Sequence, residues 1–350
     1  MGTVLVTGAF GLVGSATVER LAEAGRRVVA TDLDVPANRK AAAELPKSVE
    51  VRYADLTDPA AVDELVGAVR PAAIIQLAAV IPPLIYLRRE LARKVNVEAT
   101  GHLLAAAAQQ PTPPRFVQAS SIAVYGSRNP HTVSGVLTAE TPTNPADVYG
   151  DHKVQAERLV RDSELDWVIL RLGGVLTVEP ARYMSLDNLY FEGLLPTDGR
   201  LQTVDVRDVA SAFAAATTAA AAVGQTLLIG GDDTHRQTQG EVAPAMAAAM
   251  GLVDGLPTGL KGDPGSDDDW FSTDWMDASR AQAVLAHQHH SWPDMLAETA
   301  ERAGLKRSLL RIAAPLTRQI FTRRAAYYRT GRQFADPWGA IRDKWGDPRP

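Results

Sequence analysis

The chain has 350 residues, 46% hydrophobic and 22% charged, which fits one large α/β unit with a real core plus a smaller lobe. It contains no cysteine, and this excludes disulfides, thiolate catalysis and cysteine-ligated zinc or iron–sulfur centres. The net charge of −5 is unevenly spread: residues 302–332 hold nine Lys/Arg and no Asp or Glu, leaving the remainder near −14.

The N-terminus enters a strand at once, leaving no room for a cleavable signal segment. No run reaches the ~18 apolar residues of a membrane span, so the cytoplasm is the expected location. Residues 3–7 form an apolar strand that a parallel sheet can bury on both faces, and they lead into Gly8-Ala9-Phe10-Gly11-Leu12-Val13-Gly14. Gly8 allows a tight turn, Gly11 lets a pyrophosphate approach the backbone, and Gly14 lets the next helix pack close to the strand. A dinucleotide would sit on that helix's N-terminus, where free N–H groups and the dipole favour phosphate. The helix over 12–24 ends at Gly25, and a second strand over 27–31 finishes on Asp32. An acid about 20 residues past the glycines grips the adenosine ribose and repels a 2′-phosphate, which points to NAD rather than NADP.

A polar helix over 37–45 and a third strand over 49–53 follow, then Ala54-Asp55-Leu56-Thr57-Asp58. Asp55 lies beside the expected adenine site; equally, it ends a strand while Thr57 or Asp58 caps the next helix. After a helix over 59–69, a fourth strand over 72–77 brings Leu77 to Ala78-Ala79-Val80, small enough for the dinucleotide to lie against the backbone. Residues 84–108 are expected to be helical, with Asn96 in their middle. A fifth strand over 115–119 then delivers Ser120-Ser121 to the edge where open parallel sheets bind ligands. A serine at a strand end is commonly a cap or turn residue.

A helix beginning at residue 145 and running to about 163 puts Tyr149 and Lys153 one turn apart on one face. A phenol with a pKa near 10 becomes a useful acid/base at neutral pH when an adjacent ammonium stabilises its phenolate. Alone, such a pair is a packed ring and a solvated charge. A sixth strand over 166–171 precedes an irregular stretch over 175–202, where Tyr183, Met184, Tyr190 and Phe191 are available to line a pocket or fill a small core. Residues 204–210 return to the main body, an alanine-rich helix runs to 222, and a last strand covers 225–230. Asp267, Asp268 and Asp269 read as a solvated loop rather than a metal site, and His287, His289 and His290 as surface residues, so no metal is expected.

Together, TGAFGLVG, Asp32, ADLTD, LAAV, VNVEAT, SSIAVYG, YGDHK and VDVRDVA resemble the extended short-chain dehydrogenase/reductase family, the NAD-dependent epimerase/dehydratase group, over roughly residues 1–300. The resemblance implies a seven-stranded, doubly wound Rossmann sheet with a smaller C-terminal α/β substrate lobe. The Rossmann domain would cover 1–175 with 203–231 returning to it, the lobe 176–202 and 232–300, and a basic amphipathic extension 301–350. By the family's pattern the catalytic serine lies four residues before the tyrosine of the VYG turn, which selects Ser121 over Ser120. Tyr149 would be the acid/base, Lys153 would bind the nicotinamide ribose and lower the phenol pKa, and Ser121 would hydrogen-bond the reacting oxygen. Asn96 matches a position near the active site. Cofactor contacts are expected from Gly8, Phe10, Gly11, Leu12, Val13, Gly14, Asp32, Asp55, Leu56, Leu77, Ala78, Ala79, Tyr149 and Lys153. The departures concern substrate: Arg171-Leu172-Gly173-Gly174 offers glycines where sugar-nucleotide members often carry asparagine, and the lobe lacks an obvious set of basic residues for a diphosphate.

The chain thus reads as an NAD-dependent oxidoreductase or epimerase that takes hydride from a secondary carbinol while Tyr149 accepts the hydroxyl proton, a sugar-nucleotide epimerase/dehydratase being one form of this. The alternative is a dinucleotide-sensing regulator or scaffold that keeps the fold without catalysis. A small-molecule substrate and a homodimer are expected, and no nucleic-acid partner. In the tail, Leu305, Leu309, Ile312, Leu316 and Ile320 recur at helical spacing with Arg307, Arg311, Arg318 and Arg323 on or near the flanks, and Pro315 is expected to kink or divide the helix. Two outcomes are weighed: the apolar face docks on the small lobe or a second subunit, or it lies against an anionic membrane surface or acidic partner.

Overall fold

In the computed structural model, residues 2–180 and 185–350 are described; the expected pocket residues Tyr183 and Met184 lie outside them. The N-terminal half alternates strand and helix: β1 (Val4–Thr7), α1 (Leu12–Glu23), β2 (Val28–Asp32), α2 (Pro36–Ala42), β3 (Glu50–Tyr53), α3 (Pro59–Val69) and β4 (Ala73–Gln76). The segment expected as one helix over 84–108 is broken into α4 (Leu84–Leu87), α5 (Arg89–Arg93), a π-helical turn (Lys94–Glu98) and α6 (Ala99–Ala108). Then come β5 (Arg115–Ser121), α7 (Val148–Arg161), β6 (Trp167–Leu172), β7 (Gly174–Leu176), α8 (Leu186–Glu192), β8 (Arg200–Asp205), α9 (Val206–Ala216) and β9 (Gln225–Ile229). The remainder holds β10 (Arg236–Thr238), α10 (Gln239–Ala249), α11 (Ser279–Leu285), α12 (Trp292–Ala303), α13 (Lys306–Arg324) and α14 (Pro337–Trp345).

The main sheet has seven strands in the order β3-β2-β1-β4-β5-β6-β9, every pair parallel. Its strands are apolar on both faces, so successive side chains feed two cores. Val4, Val6, Ile75 and Leu170 meet Val18, Leu21 and Phe213 of α1 and α9 on one side. Leu5, Ile74 and Ile169 meet Val62, Leu65 and Leu103 of α3 and α6 on the other. Strand order reverses between β1 and β4, and this opens the crevice where such sheets take a ligand.

The stretch over 175–202 is more ordered than expected. α8 lies within it and β7 and β8 overlap its two ends, and a separate small sheet runs β10-β8-β7. Residues 203–205 therefore belong to that small sheet, while α9 and β9 rejoin the main body. The expectation of three surface histidines fails at His287, which is fully buried with its Nε2 3.2 Å from the Gly230 carbonyl, while His290 Nδ1 lies 2.6 Å from Asp208.

The tail divides in two. α13 continues without a break through Pro315, and its apolar face is not docked: Leu305 is 93% exposed and Ile312 81%. α14 and the residues after it instead fold back on α7 and the elements beside it. Ile341 and Trp345 pack with Ile85, Tyr86, Val148 and Phe191. The Pro348 carbonyl accepts from the Val148 N–H at 2.8 Å, and Arg89 donates to the carbonyls of Asp347 and Arg349. Residues beyond about 325 thus complete the wall around α7 rather than forming an appendage. Among the described residues, no helix is long and apolar enough to cross a membrane.

Candidate active site

The turn after β1 is built on glycine for steric reasons that can be read off distances. Gly8 has φ +59°, and a Cβ there would lie 2.7 Å from the Ala78 nitrogen; a Cβ at Gly14 would lie 2.1 Å from the Gly8 oxygen. At Gly11 a Cβ would meet nothing nearer than the Gly8 oxygen at 3.5 Å, so this position opens onto the crevice. Gly11 is also the N-cap of α1, no side chain caps that helix, and no acid lies in its first turn. Its orphan N–H groups are therefore left for an anion, as a pyrophosphate requires. Phe10 and Val13 pack partly against the core beside this turn, and Leu12 opens the helix.

The floor of the crevice is fixed by groups that sequence reasoning missed or left unassigned. The Thr7 hydroxyl donates to the Gln76 side chain and accepts from the N–H groups of Leu77 at 3.1 Å and Ala78 at 3.3 Å. Buried Asn96, on the π-helical turn, accepts from the Val80 N–H at 2.7 Å and donates to the Val80 carbonyl at 2.9 Å. Its role is to pin the Ala78-Ala79-Val80 loop. At the adenosine end, Asp32 ends β2 and accepts from the Leu33 N–H at 2.8 Å. Burial pushes its carboxyl up, and the neighbouring Leu33 and Phe10 backbone and the Asn38 side chain oppose that. Asp55 accepts from the N–H and hydroxyl of Thr57, Asp58 caps α3 through the Ala60 N–H, and Leu56 between them is buried.

The two serines that end β5 point to opposite faces, as strand pleating demands. Ser120 donates to Glu157 at 2.6 Å, inside a buried cluster in which Arg171 makes two hydrogen bonds to the same carboxylate at 2.8 and 2.7 Å. Burial pushes the Glu157 carboxyl up, but Arg171, Ser120 and Arg161 outweigh it and hold it below its ordinary range. Ser121 instead faces the crevice beside the Tyr149 phenol, its Oγ accepting from the Ala123 N–H at 3.2 Å. Lys153 lies one helical turn on, its Nζ 5.7 Å from the Tyr149 ring centre and donating to the Ala119 carbonyl at 2.9 Å. The structure brings Ser121, Tyr149 and Lys153 together, and leaves Ser120 in the core.

The electrostatics differ from the expectation that Lys153 lowers the phenol. Burial raises the Tyr149 phenol above its ordinary value, the nearby Ser121 hydroxyl opposes this, and the Asp147 charge adds to it. Burial also lowers Lys153 to about 8, against the pull of Glu157. Asp147 itself went unnoticed in the sequence because the helix was expected to begin at Pro145. It is the N-cap of α7, accepting from Gly150 N–H at 2.9 Å and from the Tyr86 hydroxyl at 2.7 Å. An aspartate three residues before a helical glycine that needs an N-cap partner was the available signal. Burial raises Asp147 to about 6.

Residues 4–230 match the NAD dependent epimerase/dehydratase family. UDP-glucose 4-epimerase 4 of Oryza sativa subsp. japonica is 30% identical over 204 residues, covering 53% of this chain and 52% of that protein. D-erythronate dehydrogenase of Cupriavidus necator is 27% identical over 207 residues, covering 55% of this chain and 60% of that protein. The chain thus spans about half the length of the curated relatives it matches. A solved UDP-glucose 4-epimerase with UDP-glucose from Thermotoga maritima superposes with a TM-score of 0.70 at 21% identity, covering 88% of this chain and 99% of that one, a likeness of fold. With the glycine turn shaped for a pyrophosphate, an acid at the end of β2 and a family match over most of the chain, this protein belongs to the NAD-dependent epimerase/dehydratase family, whose cofactor is NAD.

Proposed function

We propose that the chain oxidises a secondary carbinol of a small molecule, with Tyr149 as acid/base. What carries this reading is the placement of Ser121 at the end of β5 beside the Tyr149 phenol, with Lys153 one turn behind and the glycine turn alongside. Ser121 and Tyr149 converge where one substrate oxygen would sit, so Ser121 holds it while Tyr149 takes the hydroxyl proton. Lys153, held by the Ala119 carbonyl one turn behind the phenol, would hold the nicotinamide ribose. Bound NAD supplies the hydride acceptor. Gly8, Gly11 and Gly14 seat the pyrophosphate, Asp32 holds the adenosine ribose, and Ala78 and Ala79 line the floor. In an epimerase the hydride returns to the other face of the ketone; in a dehydrogenase the ketone leaves.

The relatives favour a sugar nucleotide as substrate, through the rice UDP-glucose 4-epimerase. A non-nucleotide carbinol is a second reading, for which the bacterial D-erythronate dehydrogenase is the example among the relatives. It is favoured by arginines of the lobe and the adjoining elements being engaged: Arg128 and Arg200 pair with Asp274, and Arg207 with Asp205 and Glu298, while Arg171 is locked to Glu157. A homodimer belongs to the reading too, and sedimentation velocity tests it. The activity test incubates the protein and NAD with UDP-sugars, sugar acids and simple secondary alcohols, following both reduced nicotinamide and sugar products. Turnover of any carbinol supports the proposal. Tight NAD binding with no turnover across the panel would favour the non-catalytic regulator instead.

A further inference from the structure

Helix α13 presents three distinct faces. Ala314 is buried, and Leu310, Ala313, Thr317 and Phe321 lie partly covered at helical spacing around it, so this face holds the helix to the body. A second face carries Leu305, Leu309, Ile312, Leu316 and Ile320, exposed by 93, 69, 81, 61 and 42%. Five large aliphatic side chains in a row facing water are a contiguous apolar strip about 22 Å long at the helical rise. The third face and the ends are cationic. Lys306, Arg307, Arg311, Arg318, Arg323 and Arg324 are all exposed, and among the described residues none forms an ion pair. Just beyond the helix, Tyr328 is exposed with the Arg329 guanidinium 5.0 Å from its ring centre.

These features are those of a helix lying in the plane of an interface: an aliphatic strip on one side, unpaired cations on the other, an amphipathic ring at the end and no acid anywhere from 302 to 332. We propose that α13 binds the surface of an anionic lipid bilayer, its aliphatic strip among the acyl chains and its cations among the headgroup phosphates. A second copy is the poorer occupant, because pairing two such helices brings two sets of unpaired cations together with no carboxylate between them. The rest of the chain, near −14, would be repelled by such a surface, so attachment through α13 also orients the molecule with its acidic body outward.

The test uses the full chain, with vesicles of phosphatidylcholine alone or with about a quarter phosphatidylglycerol, floated at low salt and at about 0.5 M salt. Flotation with the anionic vesicles, weakened several-fold by salt and absent with neutral ones, supports the proposal. The triple substitution Leu309→Gln, Ile312→Gln and Leu316→Gln is expected to reduce bound protein by about tenfold or more while leaving the melting temperature and NAD binding unchanged, since these side chains touch solvent. No flotation of the parent at low salt overturns it. So does a triple variant that floats as well as the parent, or one that converts a dimer into a monomer, which assigns the strip to a second copy.

Discussion

The Rossmann sheet and the wall around α7 obey different rules of assembly. In the sheet, each strand pairs with others brought beside it by short repeating units, and the central strands are continuous apolar runs buried on both faces. At the wall, Pro348, Ile341 and Trp345 close on Val148 and Tyr86, residues far away in the chain. Local pattern dictates the first and long-range contact the second. The seat proposed for the cofactor therefore belongs to the locally determined half, and the surroundings of Tyr149, the proposed acid/base, to both halves together.

Two substitutions would break this comparison most forcefully. Gly14→Ala puts a Cβ against the Gly8 carbonyl, so it should weaken NAD binding by about 100-fold or more and cost about 1–3 kcal/mol of stability. Trp345→Ala should cost about 3–5 kcal/mol in denaturant unfolding and lower turnover, yet leave NAD affinity within about a factor of two. Calorimetric titration of NAD separates the two. If Trp345→Ala abolished NAD binding, the division of labour would be wrong.

Legibility follows the same line. Strands β1 to β6, the glycine turn, Asp32 and the Tyr149 and Lys153 pair were readable because period, turn chemistry and spacing are local. Asn96 was readable as a position, but its work of pinning Val80 depends on a π-helical turn that its residue pattern does not announce. His287 read as surface because it sits beside His289 and His290 at a probable helix end, while the Gly230 carbonyl that its Nε2 meets follows a strand distant in the chain. The aliphatic strip of α13 was found from its period, yet which face docks is decided by Ala314 and its neighbours, small residues with little periodic signal.

A pH experiment sharpens the account at the junction of the two regions. Asp147 is raised from 3.8 to about 6 by burial, so its contribution to stability is present below pH about 4 and lost as pH rises through about 6. Relative to Asp147→Asn, which keeps a cap for Gly150, the native protein should lose at most about 3 kcal/mol across that window and nothing further above it. A flat difference between the two unfolding curves from pH 4 to 7 would mean that the carboxyl is not buried in this way. The smallest effect is expected at Asp32: Asp32→Ala should weaken NAD about tenfold and narrow its advantage over NADP, as read by parallel titration.

The central claim, that Tyr149 moves the proton, is tested most directly by Tyr149→Phe with the native substrate found in the panel. Turnover should fall by about 10² to 10⁴ while NAD binding changes by no more than a few-fold, since the phenol supplies a proton site and little of the cofactor's seat. Full turnover in the Phe variant would contradict the account.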